Sequence, residues 1–162
     1  MWLVDALDGD GVEERVRAAG EPAGVIQLLD RHARDCAALA ARLGVPHHVV
    51  PREPLGPFAF VPVMRWRKWQ EVALWWADAK VLVCADALGT VGYFRATGEE
   101  VGVHPLLRMS KPPRRLAALP AERVLVGHGT GVTTTGGADV RRAVRTARRG
   151  LPSALVNAFR RR

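Results

Sequence analysis

Two short apolar runs each end in a side chain able to bind a metal. Val81-Leu82-Val83-Cys84-Ala85 leads into Asp86, and Arg123-Val124-Leu125-Val126-Gly127 leads into His128-Gly129. Both runs are rich in β-branched residues and largely apolar, which suits strands covered on both faces. A polar residue at the carboxyl edge of such a sheet stands where α/β proteins place their sites.

The remaining segments alternate between the two periodicities. Trp2–Leu7 and Val25–Leu29 read as strands. Asp10 with Glu13 forms a capping-box pattern ahead of a helix whose Val12, Val16 and Ala19 share a face and whose stop is Gly20. Cys36, Leu39, Ala40 and Leu43 recur at helical spacing, with Gly44 as the stop. Pro46–Pro51 brackets a short strand. Phe58–Met64 is expected at a sheet edge, because Pro62 withholds a ladder donor. Glu71–Trp76 reads as a strand, joined through Ala77-Asp78-Ala79 to the run ending at Asp86. Residues 88–103 are Gly-rich and irregular, Pro112-Pro113 opens a helix, and Ala138–Arg149 forms another with Val140, Val144 and Ala147 inward. Helices alternating with strands around a central hairpin imply an α/β chain with a mixed sheet.

At 162 residues the chain is expected to form one domain over residues 1–151 with a basic tail over 152–162. No apolar run reaches the ~18 residues of a membrane span. The N-terminus has neither the basic nor the apolar region of a signal peptide, and the two cysteines form no disulfide framework. A reducing, cytoplasmic setting is the expectation. The net charge of +8 includes Arg141, Arg142, Arg145, Arg148, Arg149 and Arg160–Arg162. No recognition motif accompanies these arginines, so a solvated basic face is favoured over a nucleic-acid partner.

The order strand, His/Asp cluster, helix, hairpin, strand ending in Asp and late strand ending in Gly-His-Gly resembles the metallo-β-lactamase-fold hydrolases, from about Trp2 to Leu151. The resemblance implies mixed sheet layers flanked by helices, with the first strands of that fold missing here. The family's His-x-His-x-Asp-His signature falls on Asp30-Arg31-His32-Ala33-Arg34-Asp35: His32 is kept, Arg34 replaces the Asp, and Asp35 replaces the last His. A further family His has no counterpart in Trp66–Glu71. Asp86 matches the bridging Asp, and His128 the last His ligand.

What the resemblance implies for chemistry is a metal-dependent hydrolase of an ester, thioester or amide-like bond. Asp86 and His128 would hold at most one divalent ion, Zn²⁺, Mn²⁺ or Fe²⁺, with His32 and Asp35 as further ligands or catalytic groups. Such an ion lowers the pKa of its water to about 7. His104, before Pro105 in the irregular stretch, would contact substrate. Arg34 and Arg67, permanent cations without a lone pair, cannot ligate and would instead bind an anion or pair with Asp86 or Asp35. The alternative is a non-catalytic member whose pocket takes an anion or a protein through Arg34, Arg67 and the tryptophans 66, 69, 75 and 76. A homodimer through an exposed sheet edge is a further expectation.

Overall fold

A computed structural model describes residues 1–132 and 134–159. In chain order these form β1 (Trp2–Val4), α1 (Val12–Ala19), β2 (Gly24–Gln27), α2 (Cys36–Leu43), β3 (His47–Val49), β4 (Phe58–Trp66), β5 (Trp69–Trp76), β6 (Val81–Cys84), β7 (Leu88–Gly89), β8 (Gly102–Val103), α3 (Pro105–Met109), α4 (Arg114–Ala117), β9 (Arg123–Val126), α5 (Gly136–Thr146) and α6 (Leu151–Phe159). The architecture is mixed α/β, as expected. Among the described residues no helix is long and apolar enough to cross a membrane.

Three strands, β1-β2-β3, pair in parallel, and a four-stranded sheet follows the order β4-β5-β6-β9. The first sheet is joined to the second by the chain that continues β2. Val72 N donates to Leu28 O and Asp30 N to Gln70 O, around an antiparallel bridge between Leu29 and Glu71. This handover brings residues 30–35 to the same end of the molecule as Asp86. The packed interior spans both sheets, with Ile26, Leu28, Leu29, Leu74, Leu82, Val124 and Val140 buried together. Each such side chain contributes roughly 1.5–3 kcal/mol on removal from water.

Local patterns account for most elements. In α2 the residues Cys36, Leu39, Ala40 and Leu43 are the buried ones, and the helix lies on β2 with Val25. β4 is an edge strand, and its register shifts between Pro62 and Met64, so the proline sits where no ladder bond is required. The Gly-rich stretch contains one small antiparallel pair, β7-β8, in which Gly89 faces Gly102. A Cβ on Gly89 would stand 2.5 Å from the Phe94 ring, and one on Gly102 would stand 2.1 Å from Phe94 O. Only glycine admits Phe94 to this position.

Two expectations change. α1 begins after Gly11, in left-handed conformation with φ 69°, and no side chain caps it. Asp10 offers only its carbonyl, to Arg15, while Glu13 pairs with Arg17 and Arg42. None of the α1 residues is buried, so its apolar face is only half-covered. The segment read as a tail folds as α6, with Ala154 buried and Asn157 Nδ2 donating to Arg95 O. Arg160–Arg162 lie outside the described residues.

Arg108 is fully buried and ties these later elements together. It donates to Val103 O at 2.9 Å, Phe94 O at 2.9 Å and Ala147 O at 3.2 Å, and pairs with the buried Glu99 carboxylate. Replacing it strands a buried charge. Arg108→Leu is expected to cost about 3–5 kcal/mol, a fall in melting midpoint of roughly 6–20 °C by calorimetry; a loss under about 1 kcal/mol would contradict this assignment.

Candidate metal centre

The parallel pairing of β6 with β9 sets Cys84 beside Val126, so Asp86 and His128 each leave the sheet two residues later at the same level. The turn between them is tight. Gly127 N donates to Cys84 O at 2.9 Å, and a Cβ at Gly127 would stand 2.9 Å from Ala85 O. A side chain there would push the His128 turn off Asp86. On the other flank, His32 sits in the turn after Leu29, with its N–H on Leu29 O.

The three meet at one oxygen. His32 Nε2 and His128 Nε2 each lie 3.0 Å from Asp86 Oδ1. One donor atom from each of the three residues falls within 4.8 Å of the other two. His32 and Asp86 are largely covered, and His128 is open to solvent. Two imidazole nitrogens with one carboxylate is a donor set used for Zn²⁺ with an open fourth position and for Fe²⁺ in facial triads. The histidines turn the same nitrogen toward the same oxygen, the convergence that a shared cation would require. The residues present therefore fit a single divalent ion.

Supporting groups fix each donor. Asp5, buried at the end of β1, accepts from Leu28 N at 2.8 Å and holds its other oxygen 3.7 Å from His32 Nδ1. At that distance Asp5 acts on the ring through its charge, and His32 Nδ1 is buried without a hydrogen-bond partner among the described residues. The Asp5 and Asp86 carboxylates on either side raise His32 from 6.5 to about 9, against its burial. Burial opposes ionisation of Asp86, yet the hydrogen bond and charge of His32, with His128 and His104 behind it, hold its carboxyl below the usual range. Glu71, fully buried on β5, accepts from Asp86 N at 3.0 Å and Ala87 N at 2.8 Å through Oε1, and from Trp69 Nε1 at 2.8 Å through Oε2. Burial pushes Glu71 up to about 7 despite these donors.

An aromatic wall closes one side. The His104 ring packs edge-on against Trp69, Tyr93 and Phe94, and Phe94 stacks on His128 with centroids 5.6 Å apart. His104 Nδ1 accepts from Leu106 N at 3.2 Å, and burial lowers its pKa. Arg31 lies over the Trp69 ring at 5.0 Å, with Nη2 3.9 Å from Asp86 Oδ2.

Of the residues singled out in the sequence, the structure brings Asp86, His128 and His32 together, with His104 one aromatic layer away. Asp35 is placed elsewhere: its carboxylate accepts from Asp8 N at 2.9 Å, and it is not among the three residues whose donor atoms converge. Arg34 also turns away. Its backbone is left-handed, φ 43°, and its guanidinium donates to Asp5 O at 3.0 Å and Gly127 O at 3.5 Å. It staples the ends of β1 and β9 from behind and pairs with neither Asp86 nor Asp35. Arg67 is exposed in the β4-β5 turn and makes no ion pair or side-chain hydrogen bond among the described residues. Sequence reasoning missed Glu71, Asp5, Arg31 and Phe94. For Glu71 the signal was present: one carboxylate inside the apolar run Trp69–Trp76.

The His32 assignment is testable in metal-free protein. A folded-state pKa above the unfolded 6.5 means this contribution to stability is complete below pH 6.5 and lost as pH rises through about 9. The His32 ring resonances should titrate near pH 9 by NMR, and Asp86→Asn should lower that midpoint. A wild-type midpoint at or below the ordinary histidine value would contradict the geometry.

Searched against known proteins, the chain matches no protein-family model and no curated sequence. Solved structures do match. The di-iron-bound form of TTHA1623 superposes with a TM-score of 0.56 at 19% identity, covering 85% of this chain and 86% of that one. The DIM-1 metallo-β-lactamase exposed to ceftazidime gives 0.52 at 14% identity, covering 90% and 80%. The apo chemotaxis sensor ODP from T. denticola gives 0.52 at 12% identity, covering 91% and 80%. At these identities the likeness carries the fold and not the activity. The chain has the metallo-β-lactamase fold.

Proposed function

We propose that this chain is a single-metal hydrolase acting on an ester, thioester or amide-like bond. The observation that carries the reading is the convergence of His32 Nε2 and His128 Nε2 on Asp86 Oδ1, each at 3.0 Å. His32, His128 and Asp86 would hold the ion, leaving its outward positions on the exposed His128 side. A divalent cation there supplies Lewis acidity and a water that is acidic near neutral pH.

The chain's own groups do the rest. Asp5 stands behind the His32 ring with a carboxylate oxygen 3.7 Å from Nδ1, and Glu71 holds the Asp86 backbone through its N–H. His104 accepts at Nδ1 and burial favours its neutral form, so its proton resides on Nε2, where it can donate a hydrogen bond to a substrate oxygen without transferring the proton. Arg31, half-exposed beside Asp86, supplies a fixed positive charge for a substrate carboxylate or developing oxyanion. Arg34 takes no part in substrate binding in this reading, because its guanidinium is directed onto the carbonyls of Asp5 and Gly127.

A second reading rests on the same contacts. A protonated His32 on an ionised Asp86 is a satisfied pair without any metal. The pocket would then bind an anion through Arg31 without chemistry.

Metal content separates the two. Protein purified without chelator should carry close to one divalent ion per chain by elemental analysis, and Asp86→Ala, His32→Ala and His128→Ala should each take it below ~0.2. Hydrolysis of chromogenic esters and thioesters should stop on chelation and return with Zn²⁺, Mn²⁺ or Fe²⁺. Wild-type protein that refuses all three ions would overturn the hydrolase reading and leave the anion-binding one.

A further inference from the structure

A cleft of about 700 Å³ opens between edge strand β4 and the segment joining α3 to α4, away from the three metal donors. Arg65 and Trp66 stand on its strand wall, Lys111, Arg114 and Arg115 on its helical wall, and Arg148 at the end of α5. No acidic residue lines it. All five cations are exposed, and none forms an ion pair among the described residues. Like charges around one concavity repel, and the walls focus their field into the hollow. The occupant that offsets this is a polyanion.

The shape narrows the class. A membrane presents a flat anionic plane and leaves the floor of a cleft unfilled. Trp66 is 45% exposed on the wall beside Arg65, so a planar group entering the cleft meets both a π-face and a guanidinium. Pro62, Pro112 and Pro113 stiffen the two walls. Cations that track a backbone beside an aromatic face are the features that hold single-stranded nucleic acid, whereas a duplex keeps its base faces stacked and has none to offer Trp66. We propose that this cleft binds single-stranded nucleic acid, with phosphates on Arg65, Lys111, Arg114, Arg115 and Arg148 and a base on Trp66. This basic surface is distinct from the run of arginines that stands out in the sequence, with Arg148 alone in common. It requires no metal and does not depend on the hydrolase reading.

The test is fluorescence anisotropy with a labelled oligothymidylate of about 16 nucleotides, the upper end of known single-strand sites, without added divalent metal. Three to five phosphate contacts predict a log–log salt slope of roughly −2 to −3.5 between about 50 and 200 mM salt. Arg114→Glu with Arg115→Glu should weaken binding at least tenfold and flatten the slope by about 1.4. Trp66→Ala should weaken it roughly tenfold. The charge-matched control is Arg15→Glu with Arg123→Glu, on α1 and on the opposite edge strand β9, and should change affinity less than about twofold. All these side chains are exposed, so matched melting midpoints will show that each variant is folded. The proposal is overturned by an absence of binding at low salt, by an equal loss in the control variant, by indifference to Trp66→Ala, or by equally effective competition from duplex DNA, anionic vesicles or inorganic phosphate.

Discussion

A carboxylate with no access to water, Glu71, holds the turn from which the rest of the centre is built. Its two oxygens take the N–H groups of Asp86 and Ala87 and the indole N–H of Trp69. The first two fix where β6 ends and how Asp86 leaves it. The third fixes Trp69, on which both Arg31 and His104 rest. A buried acid on a central strand is costly unless its hydrogen-bonding capacity is used, and here it is used on the backbone that aims the proposed ligand. The same residue bridges to Leu29, so it also stands at the seam where the two sheets meet.

Arg34 shows how a position the family resemblance assigns to a ligand can serve the fold instead. A guanidinium aimed at the donors would repel a divalent ion. The left-handed backbone at residue 34 sends it behind them, onto the carbonyls of Asp5 and Gly127. The charge then braces the turns carrying Asp5 and His128 without competing for the space between His32, His128 and Asp86. What remains is the convergence of His32, His128 and Asp86, the proposed site for one ion, with the Asp5 carboxylate 3.7 Å behind the His32 ring.

Much of this was legible because it follows from periodicity and order. Apolar runs ending at Asp86 and His128 read as covered strands, and their parallel pairing delivers both groups to one edge. The spacing of Cys36, Leu39, Ala40 and Leu43 gave α2, and Pro62 placed β4 at an edge. What was not legible depends on the path of single turns. Arg31, His32, Arg34 and Asp35 are near neighbours in sequence, and one left-handed residue decides which of their side chains face the centre. Glu71 was missed because the backbone N–H groups it holds lie 15 and 16 residues away, across a strand pairing that local pattern does not reveal. The Phe94 wall depends on two facing glycines that read only as irregular loop.

Anomalous diffraction from crystals soaked in Zn²⁺ addresses the centre most directly. The geometry predicts a single peak per chain within bonding distance of His32 Nε2, His128 Nε2 and an Asp86 oxygen, with Asp35 uninvolved. A peak ligated by Asp35, or crystals in which these three side chains keep their mutual contacts at saturating metal with no ion between them, would contradict it.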